Sequence, residues 1–130
     1  MDMATTMDLL PTFSKLANVN LPNDRIYDGF DITPVMFGTG KDPRDIVYYY
    51  RDTDVFAIRK GNYKAHFFTQ PEYGSEKVTA QDPPLLYNLN VDPSEKNNIA
   101  KKYPDVIAEI KKILEKHQSG VVPVENQLEK

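Results

Sequence analysis

Three side chains that can bind anions or exchange protons lie within one short stretch of the chain. The pair Gly61-Asn62 separates Arg59 from Lys64 and His66 in the run V-F-A-I-R-K-G-N-Y-K-A-H-F-F-T. Guanidinium and ammonium groups suit tetrahedral anions such as sulfate or phosphate, and imidazole is the side chain whose charge changes near neutral pH. Arg59 and Lys64 are therefore candidates for anion binding, and His66 is a candidate ligand contact.

A β-hairpin is predicted to position these side chains. Runs rich in β-forming residues flank Gly61-Asn62, and glycine suits a turn whose first central position needs a positive φ. Because paired residues of an antiparallel hairpin keep a constant sum of residue numbers, Arg59 is expected opposite Lys64, on the same face as His66, and Val55 and Phe68 bracket this face. The other face is predicted to carry an apolar stripe of Phe56, Ile58, Tyr63, Ala65 and Phe67.

The two opposed cations need a compensating charge, because like charges directly across a sheet repel. Asp92 and Glu95 follow the last predicted strand, and we predict that they neutralise Arg59 and Lys64. A second interpretation keeps the cations for a ligand, as a sulfate or phosphate clamp. The acidic residues Asp28, Asp31, Asp42 and Asp45 lack the spacing of a calcium loop and are interpreted as caps and turn residues.

The remaining elements follow from hydrophobic spacing and from the turn-forming residues. Apolar residues at helical spacing predict a helix over 7–17 and a second one over 104–117, while proline and glycine predict a structured loop over 18–44. Strands are predicted at 46–51 and 85–89, and 70–84 is predicted to be a loop. In Asp92-Pro93-Ser94-Glu95 we predict the start of a helical turn, with Glu95 reaching back to the cap.

Composition limits the class of protein. The chain has 130 residues, a formal net charge of -3 and no cysteine, which excludes disulfides, thiolate metal sites and cysteine nucleophiles. The acidic balance speaks against nucleic acid, and no apolar run approaches a membrane span. The run Tyr48-Tyr49-Tyr50 is interpreted as core packing rather than base stacking. Met1 to Met7 lacks the pattern of a signal peptide, so either the chain stays inside the cell or its true beginning is missing.

These elements predict an α+β fold. A small four-stranded antiparallel sheet carries the C-terminal helix on one face, and a helix and a long loop precede it. We expect three segments: residues 1–45, the antiparallel-sheet subdomain 46–118 with its helix, and a frayed tail, 119–130. The apolar residues of the first segment exceed what this sheet covers, which indicates a piece of something larger.

Five stretches in a fixed order identify a family resemblance. D-L-L-P-T-F-S-K-L-A, L-P-N-D-R-I-Y-D-G-F-D-I-T-P-V, A-I-R-K-G-N-Y-K-A-H-F-F, P-P-L-L-Y-N-L and D-P-S-E-K-N-N together resemble the C-terminal part of the arylsulfatases. The resemblance runs from about Asp8 to His117. It implies that residues 1–45 end a larger α/β catalytic domain, and that the full-length protein is periplasmic, secreted or lysosomal, as the family often is.

The same resemblance implies cofactors that this chain does not supply. Sulfatases use a formylglycine, made within a C/S-x-P-x-R motif, and a calcium ion; that motif is absent here, so we expect no metal site and no cofactor in this chain and carry over no catalytic residue. In the family the hairpin approaches the rim of the active-site cleft. His66 is therefore either a contact at the substrate rim or, as the more ordinary use of such a residue, a structural hydrogen-bonding group against the neighbouring domain.

Two functions are compatible with the sequence. In the first, the chain is the C-terminal fragment of a sulfatase that hydrolyses sulfate esters; it braces the catalytic domain, shapes the cleft rim and is inactive by itself. Its partner is then the remainder of the catalytic domain, and the isolated chain is expected to self-associate. In the second, it is a free-standing binding module that uses the basic hairpin face for anionic ligands such as sulfated sugars.

Overall fold

The computed structural model describes residues 2–72, 77–122 and 124. Its elements are the helices α1 (Leu9–Leu16), α2 (Thr33–Met36) and α3 (Pro104–Gly120), the strands β1 (Ile46–Arg51), β2 (Asp54–Lys60), β3 (Tyr63–Thr69) and β4 (Thr79–Asn88), and 3₁₀ turns at Thr6–Asp8 and Ala100–Lys102. The chain divides into two compact units, Met1–Val47 with Arg59–Asn62 and Tyr48–Ile58 with Tyr63–Lys130. No helix within the described ranges is long and apolar enough to cross a membrane.

The four strands form one antiparallel sheet in the order β1-β2-β3-β4, and α3 contacts β4. This confirms the predicted fold class. The hairpin is also as predicted, since β2 ends at Lys60, β3 begins at Tyr63, and Gly61 between them has a φ of 52°. A side chain at that position would be strained, which explains why glycine occupies it.

Strand β4 is twice as long as predicted. The prediction gave a loop over 70–84 and a strand over 85–89, whereas the strand spans Thr79–Asn88 and includes Pro83 and Pro84. Proline has no N–H and cannot donate the hydrogen bond that a strand between two neighbours needs. Strand β4 lies at the edge of the sheet with one strand neighbour, and proline is tolerated in such a position. The pairing of β3 with β4 shifts between His66 and Phe68.

The predicted division of the hairpin into two faces was wrong for its outer residues. Phe56 and Phe68 were predicted to lie on opposite faces of the hairpin. Their ring centroids are 5.4 Å apart, so the two rings are in contact. Ala57 and Ile58, which are consecutive, are both buried. Successive side chains of a strand point to opposite faces, and Arg59, the next residue, is buried as well, so this part of β2 is covered on both faces of the sheet.

Helix α3 follows its predicted apolar spacing. It begins at Pro104, a residue suited to the first helical position, and it buries Ile107 and Ile110. The helix extends to Gly120, three residues beyond the predicted His117, so the predicted frayed tail 119–130 begins inside it. Positions 123 and 125–130 of that tail lie outside the described residues.

The first unit is organised around a buried carboxylate. Asp8 has no exposed surface; it accepts hydrogen bonds from the amide of Thr5 at 2.7 Å and the amide of Phe30 at 2.8 Å. Arg44 forms an ion pair with Asp8, donates to the carbonyl of Asp28 at 3.1 Å and lies 4.8 Å from the ring centroid of Phe30. The loop over 18–44 is therefore closed by a buried charge pair.

Helix α1 presents an apolar face to solvent. It starts close to the predicted position, because Thr5 and Asp8 cap the turn that precedes it. Pro11 lies in the first turn, where its missing N–H removes no helical hydrogen bond. Four large apolar side chains are about half exposed: Leu9, Leu10, Phe13 and Leu16.

Candidate functional site

Glu95 joins two of the three predicted site residues. Its carboxylate accepts a hydrogen bond from Nζ of Lys64 at 2.7 Å and lies 2.6 Å from Nε2 of His66. Lys64 and His66 are two positions apart in β3, so they project from the same face of the sheet. The prediction that an acid neutralises Lys64 is confirmed, and Glu95 is that acid.

The loop after β4 holds Glu95 in place. Asp92 accepts hydrogen bonds from the amides of Lys96 at 3.1 Å and Asn97 at 2.7 Å, while the amide of Ile99 donates to the carbonyl of Leu86 in β4. The prediction that Asp92 neutralises a cation of the hairpin was therefore wrong, because its carboxylate caps its own loop. These contacts fix the loop on which the glutamate is presented.

The backbone of Glu95 has a φ of 54°, in the left-handed region that side-chain-bearing residues rarely occupy. The predicted role of Glu95, reaching back to cap a helical turn, was wrong. A residue with a left-handed backbone does not continue a helical turn. The side chain of Glu95 contacts Lys64 and His66 instead of the predicted cap. Such a conformation persists only where surrounding contacts hold it, and it is enriched at functional sites.

Protonation of the cluster follows from burial and from the neighbouring charges. Burial lowers the pKa of His66, and the charge of Lys64 lowers it further, against the opposing effect of Glu95. Burial raises the pKa of Glu95, but Lys64 and His66 outweigh it and hold that pKa below its usual value. At neutral pH the imidazole is thus uncharged and the carboxylate ionised. The proton between them belongs to Nε2 of His66, because the carboxylate only accepts.

The cluster forms part of the wall of an open cavity of about 420 Å³. Aromatic and apolar side chains make up much of the lining, and hydrogen-bonding groups lie among them. The lining includes Tyr49, Phe56, Lys64, His66, Tyr87 and Glu95. Nζ of Lys64 lies 4.5 Å from the ring centroid of Tyr49, and the ring of Tyr87 meets that of His66 edge to face at 5.7 Å. Cavities of this size hold small organic ligands.

The other predicted site residues have different surroundings. Arg59 is buried and donates from Nε to the carbonyl of Gly61 at 3.0 Å. In the tyrosine run, Tyr48 stacks on His117 with ring centroids 3.8 Å apart, while Tyr49 and Tyr50 remain partly exposed. Tyr49 was not predicted as a site residue, because its contact with Lys64 depends on how the strands are arranged in the sheet.

Two of the four acids considered for a calcium loop act as predicted, in turns. Asp31 accepts from the amide of Thr33 at 2.9 Å, and Asp42 accepts from the amide of Arg44 at 2.8 Å. Across residues 2–72, 77–122 and 124, no three His, Cys, Asp or Glu side chains are grouped as a metal site requires. The described residues do not fit the calcium ion or the formylglycine that the resemblance implies for the whole protein.

Comparison with known proteins decides the family. The family described as the C-terminal region of aryl-sulfatase matches residues 42–130, more than half of the chain. This chain belongs to that family. As a sulfatase C-terminal region, it is 40% identical to arylsulfatase A of Homo sapiens over 132 residues, covering 86% of this chain and 26% of that protein. It is also 34% identical to an arylsulfatase of Hemicentrotus pulcherrimus, covering 93% of this chain and 26% of that one.

A solved structure gives the same result for the fold. The sulfatase C-terminal region superposes on the PsFucS1 sulfatase from Pseudoalteromonas sp. with a TM-score of 0.74 and 26% identity, covering 91% of this chain and 26% of that one. The chain therefore spans about a quarter of the length of the sulfatases it matches.

Proposed function

We propose that this chain works as the C-terminal part of a sulfate-ester hydrolase. In this role it braces the catalytic domain and shapes the rim of the active-site cleft, and by itself it does not hydrolyse sulfate esters. Residues 1–45 form the end of the catalytic domain, and 46–118 form the C-terminal subdomain. The observation that carries the proposal is the match of residues 42–130 to the C-terminal region of aryl-sulfatase, in a chain that spans about a quarter of the length of its relatives.

The exposed face of α1 supports a bracing role. Leu9, Leu10, Phe13 and Leu16 lie about half in solvent. Apolar surface in water costs about 25 cal/mol per Å², and a patch of several large side chains usually has a partner. The remaining three-quarters of a sulfatase is the partner that the comparisons favour.

The cavity beside Glu95 supports the role at the cleft rim. Lys64 and His66 lie on one face of β3, held by a strained and well-anchored loop residue. Such an arrangement presents side chains at fixed positions, as a substrate-binding wall requires. The competing role, a free-standing anion-binding module, loses its main support, since the charge of Lys64 is balanced by Glu95.

A chimera tests the proposal. In human arylsulfatase A, the C-terminal quarter that matches this chain is replaced by the 130 residues, and hydrolysis of a chromogenic aryl sulfate is measured. We expect hydrolysis by the chimera and none by the isolated chain or by the enzyme truncated before that quarter. A truncated enzyme as active and as thermostable as the chimera would refute the bracing role, and turnover by the purified chain would refute its inactivity.

A further inference from the structure

The cluster beside β3 is electrically balanced. At neutral pH Lys64 contributes one positive charge, Glu95 one negative charge and His66 none. The carboxylate already occupies the position between the two nitrogens, at 2.7 Å and 2.6 Å. An incoming sulfate would have to displace it, so the cluster does not act as an anion clamp.

The free groups of the cluster suit a different ligand. Because Nε2 of His66 carries its hydrogen toward Glu95, Nδ1 keeps a lone pair and accepts hydrogen bonds. Within the described part of the chain Nδ1 has no hydrogen-bond partner, and the side chain is 21% exposed beside the cavity. Lys64 retains further N–H donors, while Tyr49 and Tyr87 supply apolar ring surface. Acceptor, donor and ring faces together match a ring that bears hydroxyl groups.

We propose that this cavity binds an uncharged, hydroxyl-bearing ring through Nδ1 of His66, with Glu95 as the positioning residue that fixes the imidazole. A hydroxyl of the ring donates to Nδ1, and its C–H face packs on the tyrosines. The inference rests on the proposed function, in which the ring is the organic part of the sulfate ester. Binding itself is a property of the isolated chain, so it fails or holds separately from the chimera's activity.

The chain has two histidines, so labelling both with ¹⁵N gives a direct test by NMR, with His117 as internal reference. At pH 7.5 we expect His66 to carry its hydrogen on Nε2. Methyl β-galactoside at tens of millimolar should shift the Nδ1 resonance of His66, and inorganic sulfate at the same concentration should leave it unchanged. A response of His66 to sulfate, or no response to the galactoside, would overturn the proposal.

Glu95→Gln tests the positioning role, with Glu115→Gln, an exposed glutamate of α3, as the matched control for loss of one charge. A glutamine amide can turn either its oxygen or its NH₂ group toward Nε2, so we expect Glu95→Gln to lose the single Nε2–H tautomer and to weaken the galactoside shift. Sulfate, which should leave His66 of the unaltered chain unchanged, should shift the ¹⁵N resonances of His66 in this variant, because the charge of Lys64 is then unbalanced. The control should behave as the unaltered chain, and a Glu95→Gln chain that does so too would refute the role.

Lys64→Gln keeps the test decisive if Glu95→Gln does not fold. Removing the charge that lowers the pKa of His66 should raise that pKa and leave the ¹⁵N signals of His117 in place. A purely structural lysine would not move the titration of His66, so an unchanged pKa would contradict the balanced cluster.

Discussion

Replacing Asp8 by asparagine should strongly destabilise the first unit. The carboxylate has no exposed surface, and its partner Arg44 is 6% exposed, so the substitution leaves a buried guanidinium without its counter-charge. Breaking a buried pair from one side costs about 3–5 kcal/mol, a large part of the 5–15 kcal/mol that typically stabilises a whole domain. The asparagine oxygen still accepts from the amide of Phe30, so the loss comes from the charge.

Hydrogen exchange of the Phe30 amide measures this loss, because that N–H donates to Asp8 at 2.8 Å. A cost of about 3–5 kcal/mol corresponds to exchange faster by roughly 10²- to 4 × 10³-fold. Asp24→Asn is the matched control, since Asp24 pairs with Arg25 at the surface, where both side chains are more than half exposed. Exposed pairs are screened by solvent and contribute little to stability, so the control should leave the exchange rate nearly unchanged.

The double variant Asp8→Asn, Arg44→Met tests whether the lost stability comes from the unpaired charge of Arg44. Removing both charges avoids an uncompensated buried ion, and replacement of a buried pair by apolar side chains is often neutral. We therefore expect it to recover most of the stability lost in Asp8→Asn. Equal exchange rates for Asp8→Asn and Asp24→Asn would refute the view that this charge pair closes the first unit.

Three further predictions concern single positions. Gly29→Ala should destabilise the first unit in urea unfolding, because a Cβ there would lie 2.0 Å from the carbonyl oxygen of Met7, whereas Gly120→Ala, with nothing within 4 Å, should not. His66→Gln should make the free energy of unfolding fall less on acidification. Folding lowers the pKa of His66, so the contribution of the neutral imidazole to stability is fully present above about pH 6.5, the pKa in the unfolded chain. That contribution is lost as the pH falls from there toward the lower pKa of the folded chain. Phe13→Asp should make the isolated chain monomeric in light scattering, if exposed α1 faces drive the expected self-association; an unchanged size would contradict this.

Local signals in the sequence predicted the elements whose stability is local. The apolar spacing of α3 and the turn at Gly61 are determined within a few residues, and both were found as predicted. Strand β4 was cut short because Pro83 and Pro84 are read as breakers, and their tolerance depends on β4 being an edge strand. The local sequence does not show whether a strand will lie at the edge of a sheet.

The candidate site was predicted in part for a similar reason. Charge repulsion in the hairpin indicated an acid near Lys64, and Glu95 was found there. The left-handed backbone of Glu95 and the contact of Tyr49 with Lys64 had no sequence signal, since both depend on how a loop and a strand pack. The pairing of Asp8 with Arg44, which are 36 positions apart in the chain, was not predicted, because no local signal in the sequence indicates a contact at that separation.

The bracing role is tested most directly by one substitution in two contexts. Phe13 is 58% exposed in this chain, so Phe13→Asp should leave the thermal transition of the isolated chain unchanged when it is measured at dilutions where that chain is monomeric. In the chimera with the catalytic part of arylsulfatase A, the same aspartate would be buried without a partner, and we expect a lower melting temperature and loss of aryl sulfate hydrolysis. Full activity and an unchanged melting temperature in the chimera would contradict the claim that α1 docks on the rest of a sulfatase.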